Sequence, residues 1–321
     1  MLVLVTGGTG FLGQHIARAL LVQGDTPIIL GRDFRDVQPL LHAGARALPL
    51  DMRDAATLAD VCATADAVCH AGALSAAWGP WADFYAANVR ATAAVVAGCQ
   101  RGGARLVYIS SPSVIFTGHD HHNLTEDAPY PRRFAALYSR SKKLGEDLVN
   151  GAAGLHAVIL RPKAIFGPGD RSLLPRILAA ARAGRLRQIG DGQNIVDVTY
   201  VENVADAVLL ALRSPAATGG TYTITNGEHI RLWDLIRVVL RRLGIPADLR
   251  AVPLRVALAA ATLMELRGHL IGREPMLTRY STAILGRTQT YDLRRAQRDL
   301  AYHPRISVAE GVERTLQALA K

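Results

Sequence analysis

The opening segment "LVLVTGGTGFLGQHIARALL" constrains this chain more than any other stretch. An apolar run, Leu2–Thr6, passes through Gly7, Gly10 and Gly13 into an amphipathic stretch. Strand, glycine-rich turn and helix in that order open a dinucleotide-binding βαβ unit. Gly7 permits the tight turn, and Gly10 lets backbone amides approach a pyrophosphate. Gly13 lets the helix lie close to the sheet, with its N-terminus stabilising the anion. Thr9, Phe11 and Leu12 complete the loop and are candidate cofactor contacts.

The same alternation continues for two-thirds of the chain. Apolar runs predict strands at Leu2–Thr6, Thr26–Leu30, Ala45–Leu48, Ala67–His70, Leu106–Ser110 and Ala157–Arg161. Amphipathic stretches predict helices at Gly10–Gln23, Ala55–Ala63, Phe84–Arg101, Ala136–Asn150 and Leu173–Ala183. Strands separated by helices make an α/β fold, a Rossmann-type doubly wound parallel sheet, followed here by a smaller, mostly helical C-terminal lobe. Residues 1–166, with 195–226 returning, are expected to form the cofactor domain. Residues 167–194 and 227–321 are expected to form mainly the substrate lobe.

Half of the 321 residues are apolar, which fits a globular chain. No apolar run reaches the roughly 18 to 20 residues that cross a bilayer. The N-terminus enters its strand directly, without a secretory signal pattern. Cys62, Cys69 and Cys99 form no CxxC pair, and three thiols cannot all be bridged. Buried, reduced thiols in a cytoplasmic protein are expected. The formal charge is +10, and only four of the 37 basic residues are lysines. Arg237, Arg241 and Arg242 recur at helical spacing, as on a solvated face. The charge could also attract anionic substrates or lipid head groups. No nucleic-acid module accompanies it, so nucleic-acid binding is not expected.

The end of the second strand bears on the cofactor. An NAD site carries an acid there for the ribose 2′-hydroxyl. Here "IILGRD" places Gly31 and Arg32, with Asp33 following late. Arginine suits a 2′-phosphate through charge-assisted hydrogen bonds, which favours NADP(H) and leaves NAD(H) open. Asp51 and Met52, after the third strand, are candidates for the adenine edge and ring.

The segment "YSRSK" sets Tyr138 and Lys142 at i and i+4, on one face of a helix. A free tyrosine titrates at about 10. A nearby ammonium favours the phenolate and readies it for proton exchange. Upstream, "YISSPSV" ends a strand with Ser110, Ser111 and Ser113, whose hydroxyls can hold a carbonyl or alcohol oxygen.

With these parts the chain resembles the extended short-chain dehydrogenase/reductase family over essentially its whole length. The resemblance implies Tyr138 as general acid/base, Lys142 on the nicotinamide ribose, and Ser111 as the catalytic serine, with Ser113 as fallback. It aligns "HAGA", with Ala71, Gly72 and Ala73, to the loop flanking the cofactor, and Asn88 to the family's helix asparagine. It lays Pro162 to Ile165 of "LRPKAIFGPGD" along the nicotinamide. Gly72 stands where the family usually has alanine, a departure of little expected consequence. The family's pairing mode implies a homodimer through the helices Phe84–Arg101 and Ala136–Asn150.

"ALSAAWGPWADFYAANV", "SPSVIFTGHDHHNLTEDAPYPRRFAALYSRSK", "REPMLTRY" and "QTYDLRRA" resemble the 3β-hydroxysteroid-dehydrogenase-like branch, and bacterial 2-alkyl-3-oxoalkanoate reductases in particular. The resemblance implies a hydrophobic small-molecule substrate, either such an oxoalkanoate or a 3β-hydroxysteroid-like compound. Trp78 and Trp81, either side of a Gly-Pro turn, are candidates to line its pocket, with Ser113. The apolar helix Leu254–Leu266 reads as an ordinary core helix, a wall of that pocket, or an interfacial surface aided by Arg255 and Arg267. The three histidines of "GHDHHN" are not expected to hold a metal. Two rivals remain: a nucleotide-sugar epimerase or reductase of the same family, and a non-catalytic NADP(H)-sensing regulator.

Overall fold

A computed structural model describes residues 1–320. Its centre is a seven-stranded, wholly parallel sheet. The strands are β1 (Leu2–Thr6), β2 (Thr26–Gly31), β3 (Arg46–Pro49), β4 (Ala67–His70), β5 (Arg105–Ile109), β6 (Ala157–Pro162) and β7 (Thr221–Ile224). Their order is β3-β2-β1-β4-β5-β6-β7, which reverses direction beside β1. That reversal opens a crevice at the carboxyl ends of the strands, where α/β sheets bind ligands. Val3, Leu4 and Val5 are fully buried, as expected of a central strand covered on both faces.

One face of the sheet is covered by α1 (Phe11–Val22) and, later in the chain, by Val201–Arg213 and Arg294–Leu300. The other is covered by α2 (Ala55–Cys62), α3 (Ala91–Gly102) and α4 (Leu137–Asn150). Cys62, Cys69 and Cys99 are buried and unbridged. Each large aliphatic side chain enclosed in these layers contributes about 1.5–3 kcal/mol.

The C-terminal lobe is mostly helical, with Leu173–Arg182, Leu232–Arg242, α5 (Leu254–Ile271), Arg279–Gly286 and Val308–Leu319. A small four-stranded sheet lies beside the crevice and joins Ile230–Arg231, Ile195–Val196, Gln289–Tyr291 and His121–Leu124. No helix among the described residues is long and apolar enough to cross a membrane. α5 runs five residues beyond the expected Leu266, and it does not line the apolar cavity found in the lobe. That cavity, about 110 Å³, is walled by other helices through Leu174, Ile177, Leu235, Val239, Leu285 and Leu316.

Candidate active site

The glycine loop is shaped by close approach. Gly7 has φ +65°, and a Cβ there would lie 2.7 Å from Cα of Gly72. A Cβ on Gly13 would lie 2.2 Å from the Gly7 carbonyl oxygen. Any side chain at either place would fill the space between β1, β4 and α1. Helix α1 starts at Gly10 with no side-chain cap and no acid in its first turn. Its N-terminal amides are therefore left to an external anion, and the cradle fits a pyrophosphate. Phe11 packs edge-on to His15, which hydrogen-bonds the Pro168 carbonyl at 2.9 Å. This ties the loop's helix to the segment after Ile165–Phe166. The Gln14 amide donates to the Thr9 carbonyl at 3.0 Å, and Leu12 packs on the core.

At the end of β2, Gly31 leaves room for the Thr9 side chain, which would meet a Cβ there at 2.4 Å. Arg32 is 74% exposed and reaches Asp51 at 3.5 Å. Asp51 is held far below the ordinary carboxylate range, mainly by hydrogen bonds from Arg53. Asp33 is drawn down to about 2 by Arg35, which grips it at 2.5 Å. Three guanidinium groups thus surround two carboxylates, and Asp33 is occupied by its own arginine.

Strands β1 and β4 are joined at their ends by a buried chain of hydrogen bonds. Thr6 Oγ1 lies 2.7 Å from His70 Nδ1, and His70 Nε2 lies 3.0 Å from Thr92 Oγ1. Thr92 donates to the Asn88 carbonyl, so the imidazole must donate through Nε2 and accept from Thr6. Thr6 Oγ1 also accepts from the Gly72 amide at 3.1 Å, fixing the Ala71–Ala73 loop. Burial, with Lys142 nearby, pushes the His70 pKa down to about 3.

Asn88 lies in a π-helical turn, Ala86–Arg90, between Trp81–Tyr85 and α3. Wider turns of this kind are frequent at functional sites. Its side chain accepts from the Leu74 amide at 2.7 Å and donates to Ser141 Oγ at 2.8 Å. Ser141 in turn donates to the Tyr138 carbonyl at 2.7 Å. The loop after β4 and the first turn of α4 are thereby held together.

Tyr138 is half-exposed as a residue, but its phenol is enclosed. Burial first and Tyr280 second push its pKa well above the usual value, while the facing Ser111 hydroxyl acts the other way. Ser111 caps the turn Pro112–Ile115, its Oγ accepting from the Ser113 amide at 3.2 Å. Tyr280, from the C-terminal lobe, is turned toward the hydroxyls of Ser113 and Ser139. Neither of those hydroxyls, nor that of Ser110, reaches a hydrogen-bond partner. Orphaned buried hydroxyls are uncommon and mark a place where a ligand oxygen would fit.

Lys142 is buried and rests over the Tyr108 ring, 4.1 Å from its centroid. Burial brings its pKa down to about 7, with Glu146 acting oppositely. Glu146 is itself clamped by Arg161 at 2.7 Å and by the Tyr130 hydroxyl at 2.7 Å. Contrary to the sequence-based expectation, burial rather than the lysine dominates Tyr138.

Pro162 ends β6, and Ile165 pairs with Thr199. Between them Ala164 holds φ +43°, a left-handed conformation that costs an L-residue about 1–2 kcal/mol. Lys163 is buried, and its Nζ donates to Gln289 Oε1 at 2.6 Å. Burial lowers its pKa to about 8. It borders the apolar cavity of the C-terminal lobe. Sequence reading laid Lys163 along the nicotinamide only as part of Pro162 to Ile165, and it did not single out Tyr280 of "REPMLTRY".

The two tryptophans part company. Trp78 packs at a tilt against His269, 4.3 Å between ring centroids, and so bridges to the end of α5. Trp81 lies beside Tyr85 and under the Arg140 guanidinium at 4.5 Å. Arg140 is an exposed residue of α4, so Trp81 is drawn to that helix's outer side rather than to Tyr138. His119 and His121 both reach the Thr117 hydroxyl beside an edge strand, and no metal-holding cluster exists among the described residues.

Residues 4–254 match the model of the 3-beta hydroxysteroid dehydrogenase/isomerase family. The chain belongs to that family. The family member is 37% identical to a 2-alkyl-3-oxoalkanoate reductase of Stenotrophomonas maltophilia, over 98% of both chains. It is 34% identical to the decarboxylating sterol-4-alpha-carboxylate 3-dehydrogenase of Saccharomyces cerevisiae, over 98% of this chain and 96% of that one. Its fold matches the dTDP-glucose 4,6-dehydratase DesIV of Streptomyces venezuelae, solved with NAD and TYD bound. The TM-score is 0.80 at 24% identity, over 100% and 97% of the two chains. This 3-beta hydroxysteroid dehydrogenase-type protein is an NAD(P)-dependent oxidoreductase acting on CH–OH and C=O groups, an extended short-chain dehydrogenase/reductase.

Proposed function

We propose that the protein is an NADP(H)-dependent reductase that interconverts a ketone and a secondary alcohol on a hydrophobic 2-alkyl-3-oxoalkanoate. The carrying observation is the enclosed Tyr138 phenol facing Ser111, with the Tyr280 phenol nearby turned toward the hydroxyls of Ser113 and Ser139. A substrate oxygen there would meet hydroxyl donors already in position, which is where oxyanion stabilisation does most.

A nicotinamide held by the glycine loop would supply the hydride. Ser111 polarises the carbonyl oxygen, and Tyr138, neutral because its pKa is high, gives its proton to that oxygen. Lys142, four residues on and with a pKa of about 7, holds a proton it can release toward Tyr138. In the oxidative direction the same groups move the proton the other way.

The substrate class draws support from Lys163 and the cavity beside it. The apolar cavity is bordered by the Lys163 ammonium and by the Asp197 carboxylate, whose oxygens are taken by His229 and the Tyr291 amide. This wall suits an amphiphile with a carboxylate near its ketone. That chemistry favours a 3-oxoacid over an uncharged 3-hydroxysteroid. Arg32, free of any close bidentate carboxylate and with Asp33 held by Arg35, supports preference for a 2′-phosphate.

The test is a spectrophotometric screen of NADPH and NADH oxidation with 2-alkyl-3-oxoacids, ketosteroids and nucleotide sugars. Turnover of oxoacids with NADPH is expected, and turnover of sugars alone would overturn the reading. Tyr138→Phe should lower kcat about 10²–10⁴-fold while leaving NADPH affinity nearly unchanged. An active phenylalanine variant would remove the assigned proton donor.

A further inference from the structure

Tyr108, Tyr130, Tyr200, Tyr222 and Tyr302 each direct the hydroxyl to a backbone or carboxylate oxygen at 2.7–3.5 Å. Tyr280 is different. Its phenol is turned toward Ser113 and Ser139, yet neither serine oxygen is within hydrogen-bond reach of a partner among the described residues. Ser139 is fully buried and Ser113 is 7% exposed, and buried hydroxyls without partners are rare. Three hydroxyls thus converge from the turn after β5, from α4 and from the C-terminal lobe, and stop short of one another. The arrangement calls for an oxygen that the chain does not supply.

The chain holds Tyr280 firmly in place. It lies in the first turn of helix Arg279–Gly286, where the Thr278 and Ser281 side chains cap each other's backbone amides at 3.0 Å. Arg279 is tied to Glu265 through its amide and its guanidinium, both at 2.7 Å. The Tyr280 ring stands edge-on to the buried Phe116, 6.3 Å between centroids. A side chain anchored in this way loses little freedom on meeting a ligand. Burial pushes the phenol's pKa up to about 12, so it stays protonated and acts as a donor at neutral pH.

Tyr280 is close enough to Tyr138 to oppose its ionisation. Ser111 and Tyr138 are matched to the reacting carbonyl, which leaves the Tyr280 group for a second oxygen a short distance along the same ligand. Tyr291 adjoins Tyr280 and also the Lys163 ammonium, whose Nζ is 5.8 Å from the Tyr291 ring centroid. The cavity's positive charge therefore stands one side chain away from the phenol.

We infer that Tyr280, flanked by Ser113 and Ser139, is a specificity-determining donor that binds the carboxyl oxygen of a 3-oxoacid while Ser111 and Tyr138 hold its ketone. The inference rests on the reductase reading above and adds to it the demand for a second oxygen. A site built to hydrogen-bond an oxygen discriminates strongly against the analogue that lacks it. A phenol donates to a carboxylate and to an ester carbonyl alike, whereas the Lys163 ammonium responds chiefly to charge. The two residues therefore leave different signatures.

The test is NADPH-dependent turnover of three matched compounds: a 2-alkyl-3-oxoacid, its methyl ester, and the dialkyl ketone left when the acid loses carbon dioxide. Wild type should favour the acid and the ester over the ketone. Tyr280→Phe keeps the ring against Phe116 and removes only the hydroxyl. It should lower the acid-to-ketone ratio of kcat/KM about tenfold to a hundredfold, and the ester-to-ketone ratio several-fold. Lys163→Met should lower the acid ratio and affect the ester ratio far less. Ser139→Ala removes a flanking hydroxyl and should lower both ratios in the direction of Tyr280→Phe. Thermal denaturation and NADPH titration check each fold, and Ser139→Ala decides the matter if the phenylalanine variant does not fold. Tyr280→Phe that slows all three compounds equally, or none, overturns the proposal, because the phenol then serves the fold or acts through Tyr138. Wild type active on the ketone with unchanged ratios in the variants removes this inference alone; wild type idle toward all three removes the reductase reading with it.

Discussion

Gly72 and Met52 share one volume: a Cβ built on Gly72 would lie 2.3 Å from the Met52 sulfur. The glycine that departs from its family's usual alanine is therefore coupled to the methionine after β3, and the departure has a consequence. Gly72→Ala should displace the thioether and strain the loop against Gly7, costing about 1–3 kcal/mol and weakening dinucleotide binding. Met52→Ala added to it should restore much of both. Thermal denaturation and fluorescence titration of NADPH across the double-mutant cycle read the coupling. Strictly additive effects would show that the two residues do not compete for the space.

Lys142 gives the protein a pH signature. Its pKa is 10.5 in an exposed setting and about 7 in the fold. Below pH 7 both states hold the proton, and the cost of burying the ammonium is borne in full. Between about 7 and 10.5 the unfolded chain keeps a proton that the folded chain has released, so stability rises with pH. Denaturant unfolding at the two ends of that window should show wild-type gaining stability and Lys142→Met gaining less. Equal gains would mean that the lysine is not buried as a titrating group.

Trp78 and Trp81 should behave differently. Trp78→Ala removes the contact with His269 at the boundary of the lobes and should raise KM for the ketone several-fold, with NADPH affinity kept. Trp81→Ala removes the stack under Arg140, worth about 0.5–2 kcal/mol, and should show as lower stability with KM unchanged. The reverse pattern would put Trp81, not Trp78, beside the substrate.

Lys163→Met should separate acids from neutral ketones. Losing a buried charge-assisted hydrogen bond to a carboxylate costs about 1.5–3 kcal/mol, or roughly tenfold to a hundredfold in kcat/KM. The matching methyl ester, which lacks that charge, should be affected far less. Equal loss for both would remove the lysine from substrate recognition.

Six of the seven sheet strands fall within a residue of the apolar runs that predict them, because a strand covered on both faces must be apolar throughout. The glycine loop was as legible, since only glycine tolerates contacts such as 2.2 Å at Gly13. The strands of the C-terminal lobe were not, because two or three residues carry no period. Nor was the π-turn at Ala86–Arg90, which keeps a helical pattern while rotating Asn88 toward Ser141. Spacing set Lys142 beside Tyr138 on one helix face but could not say that Tyr108 receives its ammonium. Tyr280 reaches the site from a distant segment of the C-terminal lobe, and nothing local in its sequence distinguishes it; Lys163 follows β6 directly, but its contact with Gln289 is tertiary.

The hydrogen-bond chain from Thr6 through His70, Thr92, Asn88 and Ser141 ends on the backbone of Tyr138. Its one titratable member stays uncharged down to about pH 3. The scaffold that aims the tyrosine is thus blind to the acidity that governs Lys142 a turn away. Aim and reactivity are uncoupled: a change in proton concentration can switch the chemistry on or off while the target stays in the sights.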